Sequence, residues 1–355
     1  MKKQLTIEMM PAREGDCMLV TYHDGKKPRR ILIDGGRAGT YKALKARLEQ
    51  LPAKERTLEL FVITHVDRDH IEGALKLMQD KKRPVKFKDV WFNGYAHLLD
   101  PEATKEDFGP VQGELMTKEL LKGNWNVAFK RKAAYVKAKP KTIKLDGGMA
   151  LTVISPDAAK LALLEPEWEK ACKLAKIHPT KKLPVKDSGL EEFGSLDVDD
   201  LAGSTFSDDD AEANGSSIGL LATFGKAKVM FAADCHVDRQ LASLKALAPS
   251  GKLKLSALKV AHHGSEHNVS TELLKKLDCP RYLISTNGSQ FKHPTRSAVA
   301  RIIKHGGAAK EIYFNYRSAF TSIWDEEELR ETHGYTAVYP ADKKSDGFLT
   351  VTIPA

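Results

Sequence analysis

Cysteine is scarce in this chain of 355 residues, with four only, Cys17, Cys172, Cys235 and Cys279, far apart and in no CxxC pair. That usage suits a reducing, cytoplasmic setting better than a disulfide framework. No apolar run reaches bilayer-spanning length, so no membrane partner is expected. The start, MKKQLTIEMMPAREGD, is basic, but charge and polarity interrupt it before a signal-peptide core could form. Basic residues are missing from one place: between Asp187 and Glu212 there are ten acidic residues and no Lys or Arg. The chain as a whole carries +9, so without that stretch the remainder carries +19. A basic body favours polyanionic partners, nucleic acid or a phosphorylated small molecule, although ordinary solvated lysine gives the same composition. The acidic stretch has few large apolar residues and reads as a flexible lid.

Short strands open the chain (LTIEM, MLVTY, ILID), followed by a helix over 41–51 that Pro52 stops. LELFVI has the length of a buried strand, and EGALKLMQ after it has helical spacing. From about residue 101 to 211 the pattern is charged helix around two short strands, TIKL and LTVIS. Beyond it, strands (SIGLLATF, KVMFAAD, ALKVA, RYLIS) alternate with helices (VDRQLASLKAL, STELLKKL, SAVARIIKHG). GYTAVYPADKKSDGFLTVTI reads as a closing hairpin around Asp-Gly. The pattern predicts two packed sheets with helices outside, an α+β fold in which 1–100 and 212–355 form the two halves.

The chemistry concentrates at strand ends. In FVITHVDRDHIEG, His65, Asp67, Asp69 and His70 fall within six residues, where a buried strand gives way to a helix. Imidazole and carboxylate are ligands for borderline to hard divalent cations, and this spacing can serve two adjacent ions. Asp69 as a helix cap is the plainer alternative. Two later strands also end in ligand-type residues: VMFAADCH at Asp234, and LKVAHHGS at His262 and His263. Asn214 in EANGSS stands just before a strand. A carboxylate such as Asp234 suits a bridging position.

THVDRDHIEG resembles the HxHxDH signature of metallo-β-lactamase-fold hydrolases, in the variant with Asp at the second position. That variant is typical of the soluble domain of ComEC-type DNA-uptake proteins and their free-standing relatives. REGDCMLV, ILIDGG, NGSSIGLLATFGKAKVMFAAD, LKVAHHGS and YLISTNGSQFKHP resemble further motifs of that branch, over roughly 1–100 and 212–355. The resemblance implies a single domain over 1–355, a four-layer αββα sandwich with 101–211 as an unmatched insertion. It implies His65, Asp67, Asp69, His70 and Asp234 as ligands, with one of His262 and His263, and places Asn214 where many relatives carry a metal-binding histidine. Ala233, Glu72 and Glu14 depart from the motifs without removing a ligand. Asp67 and Asn214 make the first site harder and poorer in nitrogen than a three-histidine zinc site. Of the expected pair of ions, Zn²⁺ or Mn²⁺ with Mg²⁺ a further candidate, this shifts the balance toward Mn²⁺ or Mg²⁺.

Such a pair supports hydrolysis of a phosphodiester, a nuclease or phosphodiesterase reaction, with Asp69 ligating and orienting the attacking water. The same fold hosts hydrolysis of small esters, thioesters and lactams, or a binding protein that keeps its metal without turnover. His293, in FKHP, is the candidate proton donor to the leaving oxygen, or else a surface histidine before a helix start at Pro294. Lys292 and Arg296 beside it could hold a phosphate. Asp34 is expected to brace the ligand loop from behind, and Asp16 to brace it or to ligate. His97 and His236 read as loop histidines. FKRKAAYVKAKPK interleaves aromatics with cations as a nucleic-acid surface does, though a charged exposed helix has the same pattern.

Overall fold

The structure is a computed structural model that describes residues 3–23, 25, 27–99, 111–175, 196–342 and 346–355. Period-two patterning builds its first sheet from β1 (Gln4–Met9), β2 (Met18–His23), β3 (Pro28–Ile33), β4 (Leu60–Val62) and β5 (Val90–Trp91). In β1 to β4, Leu5, Ile7, Met18, Val20, Ile31, Ile33, Leu60 and Val62 turn to one core, while Leu19, Leu32 and Phe61 turn to another. Successive strand residues point to opposite faces, so a sheet with both faces covered carries apolar residues at every position.

The second sheet runs in chain order across eight strands: β6 (Lys141–Lys144), β7 (Ala150–Ser155), β8 (Gly219–Phe224), β9 (Ala227–Phe231), β10 (Ala257–Lys259), β11 (Arg281–Ile284), β12 (Lys310–Phe314) and β13 (Tyr335–Val338). The last strand, β14 (Leu349–Pro354), returns to the first sheet and pairs antiparallel with β1. The two sheets face each other across one core, where Leu151, Val153, Leu220 and Val229 meet the inward residues of β1 to β4. Helices 41–49, 68–79, 111–120 and 158–175 cover the outer face of the first sheet. Helices 198–203, 237–247, 271–275 and 296–305 cover the second. The fold is a four-layer αββα sandwich of the α+β class.

Three sequence expectations change. The closing segment is not a hairpin: β13 pairs parallel with β12 in the second sheet, and β14 crosses to the first. The Asp-Gly turn signal was local, while the partner each strand found was set by the apolar faces on offer. FKRKAAYVKAKPK is neither a helix nor an aromatic platform. Its Phe129 is buried between the sheets against Trp91, and Lys141 starts β6. The strands TIKL and LTVIS of the middle stretch extend the second sheet, and Leu151, Val153 and Ile154 of the latter are buried against it.

The acidic stretch is the third. Residues 187–195 lie outside the described residues; 196–212 are largely exposed but anchored at a few points. Helix Val198–Gly203 is capped by Asp197, which accepts from the backbone N–H of Asp199 and Asp200 at 3.0 Å each. Val198 and Ala202 bury into the outer core of the second sheet. The fully buried Arg301 donates to Ser204 O (3.2 Å) and Oγ (3.0 Å), and to Glu266 O at 2.9 Å. A small apolar stripe and one buried guanidinium hold what composition alone describes as loose.

Among the described residues no helix is long and apolar enough to cross a membrane.

Candidate metal centre

Strands β3, β4 and β5 are mutually parallel, and so are β9 to β13. Their carboxyl ends therefore meet along one edge of the sandwich, which is where open sheets place their ligands. Asp34 follows β3, His65 follows β4, Asp234 follows β9, His262 and His263 follow β10, and Ser285 follows β11. The loop from β1 to β2 adds Asp16, and the turn before β8 adds Asn214, because each neighbouring antiparallel strand starts where its partner ends.

Close backbone approaches tighten the cluster. A Cβ at Gly15 would stand 1.8 Å from Asp69 O, and one at Gly73 would stand 2.0 Å from Gly35 O. Only glycine lets the β1–β2 loop and the start of helix Arg68–Gln79 pack this tightly against the ligand loops. His262 (φ 45°) and His263 (φ 56°) both adopt left-handed backbone, costly for histidine and found where a site over-determines the chain.

His65, His70, Asp234 and His263 are essentially removed from solvent. His70 Nδ1 donates to Asp34 Oδ2 at 2.8 Å, and His263 Nδ1 donates to Ser285 O at 2.9 Å. Thr64 Oγ1 donates to Asp34 Oδ2 (2.8 Å), so its lone pair faces His65 Nδ1 at 3.0 Å and takes that proton. With Nδ1 so engaged, each of the three rings in its neutral form turns the Nε2 lone pair inward. His70 Nε2 and His263 Nε2 lie only 3.2 Å apart. At that distance either one ring donates an Nε2 proton to the other or a metal cation stands between them.

The remaining donors fit the same cation. His70 Nε2 is 3.3 Å from Asp234 Oδ2 and 3.8 Å from Asp69 Oδ2. His263 Nε2 is 3.3 Å from Asp69 Oδ2 and 3.5 Å from Asp234 Oδ2. Four ligands held tetrahedrally at about 2.0–2.1 Å have mutual separations of roughly 3.3–3.4 Å. His65 Nε2, Asp234 Oδ1 and Asn214 Oδ1 are buried without a protein hydrogen-bond partner, a state that a cation relieves. The residues fit a divalent ion.

A second donor group adjoins the first through Asp234. His65 Nε2 lies 3.7 Å from Asp234 Oδ2 and 3.6 Å from Asp67 Oδ2, whose side chain is 41% exposed and forms the solvent side. His262 Nε2 is 4.0 Å from Asp234 Oδ2. His262 turns its Nδ1 to Asn268 Oδ1 (2.9 Å) and Asp209 Oδ2 (3.3 Å), and Asn214 Nδ2 donates to Asp209 at 2.8 Å.

Electrostatics agree. Burial lowers the pKa of His70, but the carboxylates of Asp234, Asp69 and Asp34 outweigh it and raise the value well above the ordinary histidine range. Burial acts likewise on His263, where Asp234 and Asp16 outweigh it. The cavity has a strongly negative potential that favours positive charge.

Asp16 shares a group with His70, Asp234 and His263 in which one donor atom from each lies within 4.8 Å of the others. Its own contacts put it behind the cluster. Asp16 Oδ1 is 3.5 Å from His263 Nδ1, the ring atom away from the ligand side. Its Oδ2 is 2.6 Å from Lys259 Nζ, both side chains being fully buried. Burial raises its pKa, but Lys259 and then His263 bring it down to about 2. Asp34 likewise stands behind, accepting from Thr64 N (2.8 Å), Thr64 Oγ1 and His70.

His293 is buried beside the group, its ring 5.2 Å from that of His262, with Nδ1 lacking a protein partner. Burial, then His262 and His263, push its pKa well below the ordinary value. Lys292 and Arg296 are half-buried on either side of it. His97 and His236 are structural: His97 Nε2 donates to Arg131 O (3.1 Å) and His236 Nε2 to Ala211 O (2.9 Å). The sequence reading missed Asp209, Asn268, Lys259 and Ser285. A lysine ending an apolar strand, as Lys259 does, was the signal within reach.

No protein-family model matches the chain, and no curated protein matches it. Two solved structures align with 99% of it at 11% identity. One is a mutant of the CmlA β-hydroxylase, with a TM-score of 0.40; the chain spans about half (54%) of that protein's length. The other is YhfI, a metallo-β-lactamase fold protein from Bacillus subtilis, covered over 100% of its length with a TM-score of 0.43.

Proposed function

We propose that this protein is a metal-dependent phosphodiesterase of the nuclease type, acting through two divalent cations that share Asp234. One observation carries the reading. A single carboxylate oxygen, Asp234 Oδ2, lies within 3.3–4.0 Å of four inward imidazole nitrogens, those of His65, His70, His262 and His263. Divalent ions there would be held by Asp234 together with His70, His263 and Asp69, and with His65, Asp67 and Asn214. The carboxylate and amide oxygens in this set favour Mn²⁺ or Mg²⁺ beside Zn²⁺.

Bound there, such a pair lowers the pKa of water and neutralises the charge of a phosphoryl group. The chain's own residues do the rest. Asp69, whose Oδ2 lies 3.3 Å from His263 Nε2, would accept a hydrogen bond from the attacking water. Asp34 and Ser285 fix the tautomers of His70 and His263, so both rings keep their lone pairs inward. His293 is the proton donor to the leaving oxygen in this reading, a role that requires the substrate's negative charge to offset the burial and the neighbouring His262 and His263 that hold its pKa down. Lys292 and Arg296 flank the substrate's phosphate, and the chain's excess of cations brings polyanions to it.

A screen of the purified protein against bis-p-nitrophenyl phosphate, single-stranded DNA and a thioester tests this. Chelator-sensitive cleavage of the first two is expected. Turnover of the thioester alone would transfer the site to the small-ester reading.

A further inference from the structure

Within the acidic stretch, Asp209 turns its carboxylate inward. Its side chain is 8% exposed, whereas Asp208 and Asp210 on either side face solvent. Asp209 N donates to His267 O (3.2 Å), and Asp209 Oδ1 accepts from Ala211 N (3.0 Å), so the chain is fixed here. On the other oxygen, Oδ2, three groups of the candidate centre converge. Asn214 Nδ2 donates to it at 2.8 Å and Asn268 Nδ2 at 2.9 Å, and His262 Nδ1 lies 3.3 Å away. An ionised carboxylate only accepts, so it decides which way each amide faces. Asn268 turns Oδ1 to His262 Nδ1 (2.9 Å), and its Nδ2 has the backbone oxygens of Asp234 and Cys235 as further acceptors, each at 3.4 Å. Asn214 lacks that support: the other atom near its Nδ2 is His262 Nδ1 at 3.4 Å, which is engaged with Asn268. With Nδ2 on Asp209, Asn214 Oδ1 points the other way, buried and without a hydrogen-bond partner among the described residues. A buried amide oxygen in that state is costly, and a cation relieves it.

We infer that Asp209 is a positioning residue that sets the occupancy of the cation beside His65, by holding the Asn214 amide with its oxygen toward that cation. This rests on the two-cation reading and makes an otherwise exposed acidic segment part of the metal centre. Without Asp209 the two ends of the Asn214 amide are no longer distinguished, and an NH₂ turned inward repels a cation. The cation beside His70 and His263 draws on no side chain that Asp209 holds, so its affinity stays. A carboxylate at 214 has two equivalent oxygens, and its orientation is immaterial once Asp209 is gone. Beside Asp209 the same carboxylate sets two anionic oxygens against each other across the present 2.8 Å contact. Asn214→Asp therefore helps far more in the absence of Asp209 than in its presence.

The test is titration of chelator-stripped protein with Mn²⁺, the unbound ion being counted by its electron paramagnetic resonance signal. The wild type should bind about two ions per chain. Asp209→Ala should weaken one of them about 10–100-fold, the range for a lost bracing partner, and leave the other within about twofold. Asp209→Asn, of equal volume, should show the same selective loss and covers a failure of the alanine variant to fold. The gain from Asn214→Asp should be about tenfold or more larger in the Asp209→Ala background than in the wild type. Both ions at wild-type affinity in the Asp209 variants, equal weakening of both, or equal gains from Asn214→Asp in the two backgrounds would overturn the inference. Turnover of bis-p-nitrophenyl phosphate is read separately. Selective loss of one ion in a protein whose wild type cleaves nothing would remove the phosphodiesterase reading and leave the positioning role. Cleavage by the wild type with metal binding untouched by the Asp209 variants would remove the positioning role alone, and a wild type that binds fewer than two ions would overturn both.

Discussion

Asp34→Asn changes one atom and isolates the bracing of the candidate centre. Asp34 accepts three hydrogen bonds, from Thr64 N, Thr64 Oγ1 and His70 Nδ1, each at 2.8 Å. Its backbone is left-handed (φ 55°), which asparagine tolerates as well as aspartate, so the chain path is not at issue. Asparagine keeps one acceptor oxygen for Thr64 N but turns an NH₂ toward Oγ1 and Nδ1. To accept from that NH₂, His70 must move its proton to Nε2, which aims a hydrogen at the space shared with His263 Nε2, 3.2 Å away. Lost bracing of this kind lowers metal affinity about 10–100-fold, or roughly 1.4–2.7 kcal/mol. The metal-free protein should also lose about 2–4 kcal/mol, because hydrogen bonds to a buried charge are worth more than neutral ones. Competitive titration with a chromophoric chelator measures the first quantity and urea unfolding the second. Metal affinity within twofold of wild type would refute the tautomer argument.

Asp69→Ala and Asp234→Ala should each abolish turnover and reduce bound metal, measured by elemental analysis; full metal content in Asp234→Ala would argue against a shared ion-binding carboxylate. His293→Ala should keep its metal and lose on the order of 10²–10⁴ in rate on substrates with poor leaving groups, with little loss on p-nitrophenyl esters. An equal loss on both would rule it out as proton donor. Lys259→Met strands the buried Asp16 and should cost about 3–5 kcal/mol in denaturant unfolding, much of it recovered when Asp16→Asn is added; additive losses would mean the pair is not coupled. Lys45 and then Tyr41 hold the Asp80 carboxyl at about 2. A carboxyl so depressed adds stability above its unfolded value of about 4 that is lost as pH falls from 4 to 2. Asp80→Asn should remove that part of the acid sensitivity, and identical pH profiles would show that Asp80 contributes nothing.

The fold was legible where one strand's own pattern decides its fate. Val62, Val229 and Leu258 sit in short apolar runs whose carboxyl ends carry the ligands; the last two formed neighbouring parallel strands of the second sheet, and the first a parallel strand of the other sheet. What the sequence could not express was competition between sheets. Residues 335–354 contain a good turn, yet Tyr335–Val338 and Leu349–Pro354 found their partners in different layers. The acidic stretch misled for a related reason. Net charge dominates its composition, whereas its place is set by Val198, Ala202 and a buried arginine nearly a hundred residues away. The ligand types were visible as an unusual density of His and Asp at strand ends. The residues that aim them were not: Ser285 acts through a backbone carbonyl, and Asp209 reaches His262 from a segment whose other carboxylates are mostly solvated.

The central claim is that the cluster around Asp234 Oδ2 loads with divalent metal and so hydrolyses phosphodiesters. Stepwise addition of Mn²⁺ or Zn²⁺ to chelator-stripped protein, with hydrolysis of bis-p-nitrophenyl phosphate followed at each step, tests it most directly. Activity should be absent at the start, rise with metal and level off near about two ions per chain. Hydrolysis that is indifferent to metal, or protein that loads with metal and cleaves nothing, would contradict it.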